Sequence, residues 1–457
     1  MNNVVNYIND NKQRYIDELV ELLKIPSIST FEKNKGDMVN CANFLKRKLE
    51  EVGAEKTEVF PTAGHPIVFG EIMQAPGKPT ILIYGHYDVQ PVDPLDLWET
   101  PPFEPTIKGD EIYGRGTTDD KGQLYTHIKA VEAMKNCGVS LPVNVKFLFE
   151  GEEEIGSTNL DPFIKQNKEL LKCNYVVISD SPMFGHNTPS ICYSLRGLSY
   201  IEVHVTGPKG DLHSGTYGGS IHNPIQALAE IISKLHDKNG KVTIKGFYDD
   251  VIKLTPVERA ALKKLPHSDK KYAQSLSLGT AQLYGEKGYS TLERIGARPT
   301  LECNGIWGGF IEPGHKTVLP SQAHAKISMR LVANQNPLKI FKLTEKYIKS
   351  IAPKTCKVEV KYLHGGHPAM TPLDSKGVMA ASNAYLKAFG KKPFYTREGG
   401  SIPIVATFQK ELKAPAVLMG LGMPNENAHA PNERFSLIHY QKGIITSVYF
   451  MDEISKM

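Results

Sequence analysis

Four short apolar runs constrain this chain more than any other feature. They are Thr80-Ile81-Leu82-Ile83-Tyr84, Val143 to Phe149, Tyr175-Val176-Val177-Ile178-Ser179 and Ala416-Val417-Leu418-Met419. Each is too short for a stable helix and rich in residues that suit a buried strand. Helical patterning lies between them, as from Gly122 to about Lys135. Strands alternating with helices predict an α/β layer with a largely parallel sheet. The segments just beyond the runs are polar. Gly85-His86-Tyr87-Asp88 comes after the first, Glu150-Gly151-Glu152-Glu153-Glu154 after the second and Asp180 after the third, and a loop with His429 lies beyond the fourth. Open α/β sheets bind ligands outside the carboxyl ends of their strands. Several separate segments are therefore expected to deliver chemistry to one edge of the sheet.

The rest of the chain fits around that layer. Two amphipathic helices are expected in the first 53 residues. One carries Tyr15, Leu19 and Leu22 and stops at Ile25-Pro26; the other runs from Met38 to Val52 and is closed by Gly53. The middle changes character. Tyr200 to Val205, Ala323 to Val332 and Lys357 to Leu363 alternate polar and apolar residues, which suits an antiparallel sheet with one wet face. Asn223-Pro224 and Pro337 open helices beside them. This order predicts an α+β sandwich inserted into the α/β domain. The expected boundaries are 1–195 for the first part of the catalytic domain, 196–368 for the insertion and 369–457 for the second part. Gly246 to Ala297 is polar and lysine-rich and reads as an elaboration of the insertion.

Composition excludes several classes. The 457 residues carry 54 Lys+Arg against 49 Asp+Glu, a net +5, far from the basic balance of a nucleic-acid binder. No run of apolar residues is long enough to span a membrane. The N-terminus mixes acids and bases without the apolar core of a signal peptide. The six cysteines are scattered and form no Cys-x-x-Cys pair, which excludes a zinc ribbon or a disulfide scaffold. A cytoplasmic globular protein is expected.

Histidines and carboxylates in polar loops are the remaining signal. They lie in GHYDVQP (His86, Asp88), GRGTTDDKG (Asp119, Asp120), EGEEEIGS (Glu153, Glu154), ISDSP (Asp180) and NENAHAPNE (His429). Two imidazoles with several carboxylates form a mixed N/O donor set that suits Zn²⁺, Mn²⁺ or Co²⁺.

Taken with WETPPFEP, DLHSGTYGG, PGHKTVLP, SMRLV, HGGHP and REGGSIP in the same order, these segments resemble the zinc-dependent amidohydrolase and peptidase family that includes aminoacylase, carboxypeptidase G and the carnosine-type cytosolic dipeptidases, with the dipeptidases nearest. The resemblance covers nearly the whole chain. It implies a mostly parallel mixed sheet flanked by helices, interrupted by a lid and dimerisation domain. It also implies two divalent metal ions, zinc foremost, with manganese and cobalt as alternatives. Asp119 would bridge them, His86 and Asp180 completing one site and Glu154 and His429 the other. Glu153 would be the general base for a metal-activated water, and Asp88 would orient His86. His213 would stabilise the oxyanion, supplied across a homodimer. Arg330, Thr317, His364 and Ser401 would contact the substrate, Arg330 taking its terminal carboxylate. The implied activity is exopeptidase cleavage of dipeptides or short peptides. The alternatives are deacylation of N-acyl amino acids on the same core, and a non-catalytic binding relative, which would have lost the base or a ligand.

Overall fold

A computed structural model describes residues 1–400 and 402–457. The chain divides into two compact units. The first comprises Met1–Tyr193, Thr371–Thr396 and Thr407–Met457; the second comprises Ser194–Met370 and Arg397–Ala406.

The first unit is built on a mixed sheet. Seven of its nine strands follow in the order Lys56–Phe60, Ile67–Ile72, Asn144–Glu150, Thr80–His86, Tyr175–Ile178, Ala416–Leu418 and Ser190–Leu195. The four in the middle, which contain the four apolar runs, are mutually parallel. The flanking pairings are antiparallel. The Asn144–Glu150 strand is buried along its whole length, as expected for a strand covered on both faces. Each of its Val145, Phe147 and Phe149 side chains contributes about 1.5–3 kcal/mol by leaving water.

Helices cover the sheet. Lys121–Asn136 starts directly after Asp119-Asp120, a cis peptide, and is nearly all buried. Its first residue, Lys121, is itself buried and donates to the carbonyls of Ile25 (2.6 Å) and Leu22 (3.4 Å). These lie at the C-terminal end of the Lys12–Leu23 helix, whose free carbonyls favour a cation. Lys35–Glu51, Lys376–Phe389 and Leu437–Ile454 complete the layers. Gly53 follows the Lys35–Glu51 helix at φ +88°, the left-handed closure expected of it. The N-terminus differs from expectation. The region before Pro26 forms two helices, Asn2–Asp10 and Lys12–Leu23, so the first 53 residues hold three α-helices rather than two. Asn11 both ends one helix and begins the next, a polar break with no proline or glycine to mark it.

The second unit has its own core around a four-stranded antiparallel sheet. Its order is Thr300–Gly308, Gln322–Leu331, Gly197–Thr206, Lys357–Gly366. Ile201, Val203 and Val205 face helices Pro224–Ser233 and Pro337–Ile351. Asn223 and Asn336 cap those helices by accepting the backbone N–H of Ile225 and Lys339. The Gly246–Ala297 stretch contains three short α-helices and one 3-10 turn, Thr280–Gln282. Among the described residues no helix is long and apolar enough to cross a membrane.

Candidate metal centre

Parallel register brings the polar segments together. His86 ends its strand opposite Glu150, and Tyr84 pairs with Ile178, so Asp180 leaves the neighbouring strand at the same edge. Asp119 arrives from the loop before the Lys121–Asn136 helix, and His429 from the loop between Leu418 and Arg434. His429 takes a left-handed backbone, φ +63°, an unusual conformation for a residue with a side chain.

These residues form two groups of three. His86, Asp119 and Asp180 make one; Asp119, Glu154 and His429 make the other. In each, one donor atom per residue lies within 4.8 Å of the others. His86 Nε2 lies 3.0 Å from Asp119 and 3.8 Å from Asp180. His429 Nε2 lies 2.8 Å from the other Asp119 oxygen and 3.2 Å from Glu154. Asp119 thus offers one oxygen to each group. Gln90 donates to Glu154 at 2.7 Å.

Two carboxylates organise the surroundings. Asp88 is fully buried. Its two oxygens accept the backbone N–H groups of Glu153 (3.2 Å) and Glu154 (3.1 Å), and Oδ1 lies 3.4 Å from His86 Nδ1. One residue therefore touches both the imidazole and the turn that carries the paired glutamates. Asp120 is not in either donor group. It accepts the backbone N–H of His86 at 3.2 Å. Gly85 leaves room for this contact, because a Cβ there would sit 2.8 Å from Asp120 Oδ2.

The electrostatics follow from burial among like charges. Burial alone would raise the Asp119 carboxyl, but hydrogen bonds from His429 and His86 hold it below the usual range. Burial alone would lower His86; its contacts with Asp119, Asp180 and Asp88 hold it well above its ordinary value. Asp119 and Glu154 raise His429 to about 10. Burial pushes Glu153 up to about 9, against the pull of His86, with Asp180, Glu154 and Asp119 adding to the rise. Six carboxyl groups against two imidazoles leave an excess of negative charge in a largely dry edge. That is the chemistry of a site for divalent cations, and the N/O donor set fits a borderline ion.

Sequence reasoning missed the clamp behind Asp119. Glu433 is fully buried. It pairs with Arg115 at 2.8 Å and accepts the backbone N–H groups of Gly116 (2.9 Å), Thr118 (2.9 Å) and Asp119 (3.2 Å). Glu426 beside it accepts Thr118 Oγ1 at 2.7 Å. Both lie within four residues of His429, so that proximity was the available signal.

The remaining predicted residues lie in the second unit. His213 and Thr317 are neighbours: Leu212–His213 pairs with Val318–Leu319, and Thr317 accepts the N–H of Ser214 at 3.1 Å. His213 is exposed and caps a short helix through Gly215 N–H. Arg330 lies on the Gln322–Leu331 strand and lines a cavity of about 400 Å³ with Arg196, Arg294 and Arg298. His364 sits on the Lys357–Gly366 strand, edge-on to Tyr200 at 5.3 Å. Ser401 lies outside the described residues.

The fold and the shared aspartate make a candidate metal centre at the edge of an α/β layer. Residues 82–453 match Peptidase family M20/M25/M40, and the chain belongs to that family. It is 33% identical to the Cys-Gly metallodipeptidase dug1 of Schizosaccharomyces pombe, over 98% of this chain and 97% of the relative. It is 34% identical to the Beta-Ala-His dipeptidase of Homo sapiens, over 86% of this chain and 78% of the relative. Among solved structures, the M20 family metallo-carboxypeptidase Sso-CP2 from Sulfolobus solfataricus superposes with a TM-score of 0.84 at 36% identity, covering 97% of this chain and 99% of that one.

Proposed function

We propose that this chain is a metal-dependent dipeptidase that would use two divalent ions, zinc foremost, with Asp119 contributing a donor atom to each of the two sites. The observation that carries this reading is the pair of donor groups sharing Asp119. They occur in a chain alike over nearly its whole length to a Cys-Gly metallodipeptidase. His86 and Asp180 would hold one ion, and Glu154 and His429 the other. When bound, such a pair supplies Lewis acidity to the scissile carbonyl and to the attacking water.

The chain's own residues do the rest. Glu153 sits on the turn fixed by Asp88, next to Glu154. Its carboxylate takes a proton from the attacking water and delivers it to the leaving nitrogen. Asp88 keeps the His86 ring and the Glu153–Glu154 turn in fixed relation. His213 is assigned to the developing oxyanion. Arg330 is assigned to the substrate carboxylate, because a guanidinium matches that group bidentately. Thr317, His364 and Ser401 are assigned as further substrate contacts. The second unit is read as a lid and dimerisation domain of a cytoplasmic homodimer.

The test is a substrate panel on purified protein reconstituted with Zn²⁺, Mn²⁺ or Co²⁺. Dipeptides, longer peptides and N-acyl amino acids are compared before and after chelation. Dipeptide cleavage that a chelator abolishes and an added ion restores supports the reading. Exclusive release of acyl groups, or turnover that survives chelation, overturns it.

A further inference from the structure

The exposed face of the second unit's sheet carries a cluster that the proposed reaction does not use. On the Gly197–Thr206 strand, alternate residues are buried. Ile201, Val203 and Val205 fill the core, so Glu202 and His204 point to the opposite face. His324 on the neighbouring strand is the direct cross-strand partner of His204. Such pairs hold their Cβ atoms about 4.5–5.5 Å apart. Here the two Nδ1 atoms approach to 2.9 Å. Glu202 Oε1 lies 3.0 Å from the other nitrogen of His204.

We propose that Glu202, His204 and His324 form a binding site for one divalent transition ion, Zn²⁺ or Cu²⁺, separate in sequence and in folding unit from the Asp119 centre. Each residue places a donor atom within 4.8 Å of the other two. An ion with bonds of about 2.0–2.1 Å spans donors about 3.3 Å apart; it takes one His204 nitrogen, the Nδ1 that faces His324, so the Glu202 side chain must turn from Nε2 toward that side to complete the site. Two imidazoles and one carboxylate suit these ions, and water fills the fourth position. The same row of the sheet supports the ligands. Trp307 pairs with His324 from the outer strand and stacks on its ring, with centroids 5.1 Å apart and planes 18° apart, which fixes the ring's plane. Glu359 opposes His204 from the other side and adds negative charge. Lys326 and Lys361 oppose Glu202 in the next row and oppose cation binding, so the histidine pair must supply most of the affinity. The bound ion staples the two central strands of the sheet.

The full chain is stripped of metal and titrated with Zn²⁺, and its content after dialysis is counted by mass spectrometry. It is also titrated with Cu²⁺ while tryptophan fluorescence is followed, because Trp307 stacks on a proposed ligand. The wild type should hold one more equivalent of zinc than His204→Asn/His324→Asn. It should also show a saturable quenching phase that the double variant lacks, with dipeptide turnover unchanged. Should the double variant fail to fold, His324→Gln and Glu202→Gln on the exposed face serve instead, each moving the quenching midpoint to higher Cu²⁺. Equal zinc content and equal quenching in wild type and variants overturn the site. Because the comparison is a difference between proteins with the same Asp119 centre, its failure is distinguishable from failure of the dipeptidase reading.

Discussion

Two glutamates of unequal visibility in the sequence share the work of the centre. Glu153 stands in a run of acids whose neighbours in the motif announce it. Glu433 stands in the loop that carries His429, and nothing local says that its partner is Arg115, far away in the chain. Replacing each gives distinguishable outcomes. Glu153→Gln is expected to lower kcat by about 10²–10⁴ while leaving metal content and thermal midpoint near those of the wild type; mass spectrometry and a melting curve check this. Glu433→Gln removes the charge opposite a buried guanidinium, a loss of about 3–5 kcal/mol. It also places an amide where three backbone N–H groups need an acceptor. Chemical denaturation should show the loss of stability, and turnover should fall because Asp119 is no longer held.

At the scale of elements, the strand–helix layer was legible because burial leaves a plain record. The four central strands are continuous apolar runs, and the Lys121–Asn136 helix between them is apolar enough to mark itself. Two features were not legible. The Ile67–Ile72 strand carries Gly70, whose Cβ would lie 2.9 Å from Leu49 of the covering helix, a tertiary reason invisible along the chain. The helix break at Asn11 is set by packing of Val4 and Ile8 on one side and Tyr15 and Leu19 on the other. The candidate ligands stand in recognisable motifs, whereas the contacts of Asp88 with the Glu153–Glu154 turn were not legible, since they run through backbone groups. One buried side chain on the Lys121–Asn136 helix gives a prediction of its own. His127 lies between Ser447 (3.0 Å) and Ser179 (2.8 Å), and burial lowers it to about 4. An unfolded histidine titrates near about 6.5. The neutral ring therefore contributes stability that is complete above that value and lost as pH falls from about 6.5 toward about 4. Melting curves between pH 7 and 4.5 should fall more steeply for the wild type than for His127→Asn.

For the whole molecule, the assignment of His213 to catalysis makes a statement about assembly. If one subunit lends His213 to the other's metal centre, then His213→Ala and Asp119→Asn are each inactive alone. Unfolding and refolding them together should return about a quarter of all sites to activity, because about half of random pairings are mixed and one of the two sites in each mixed dimer is whole. Mixed samples that stay inactive would remove the shared-site assignment. Stability should respond to metal as well. An ion bound a thousandfold above its Kd adds about 4 kcal/mol, so chelation should lower the melting temperature of the wild type by more than that of Asp119→Asn.

The candidate metal centre draws on residues from His86 to His429, and that span has a consequence for synthesis. On the ribosome, the Thr80–His86, Asn144–Glu150 and Tyr175–Ile178 strands emerge long before the Ala416–Leu418 strand that pairs beside them, and before the loop that brings His429 and Glu433. A nascent chain can hold at most the His86, Asp119 and Asp180 group, one half of the centre. Until His429 has been made the second donor group is incomplete, and on the proposed reading a partly made chain has no complete site with which to cut the peptides around it.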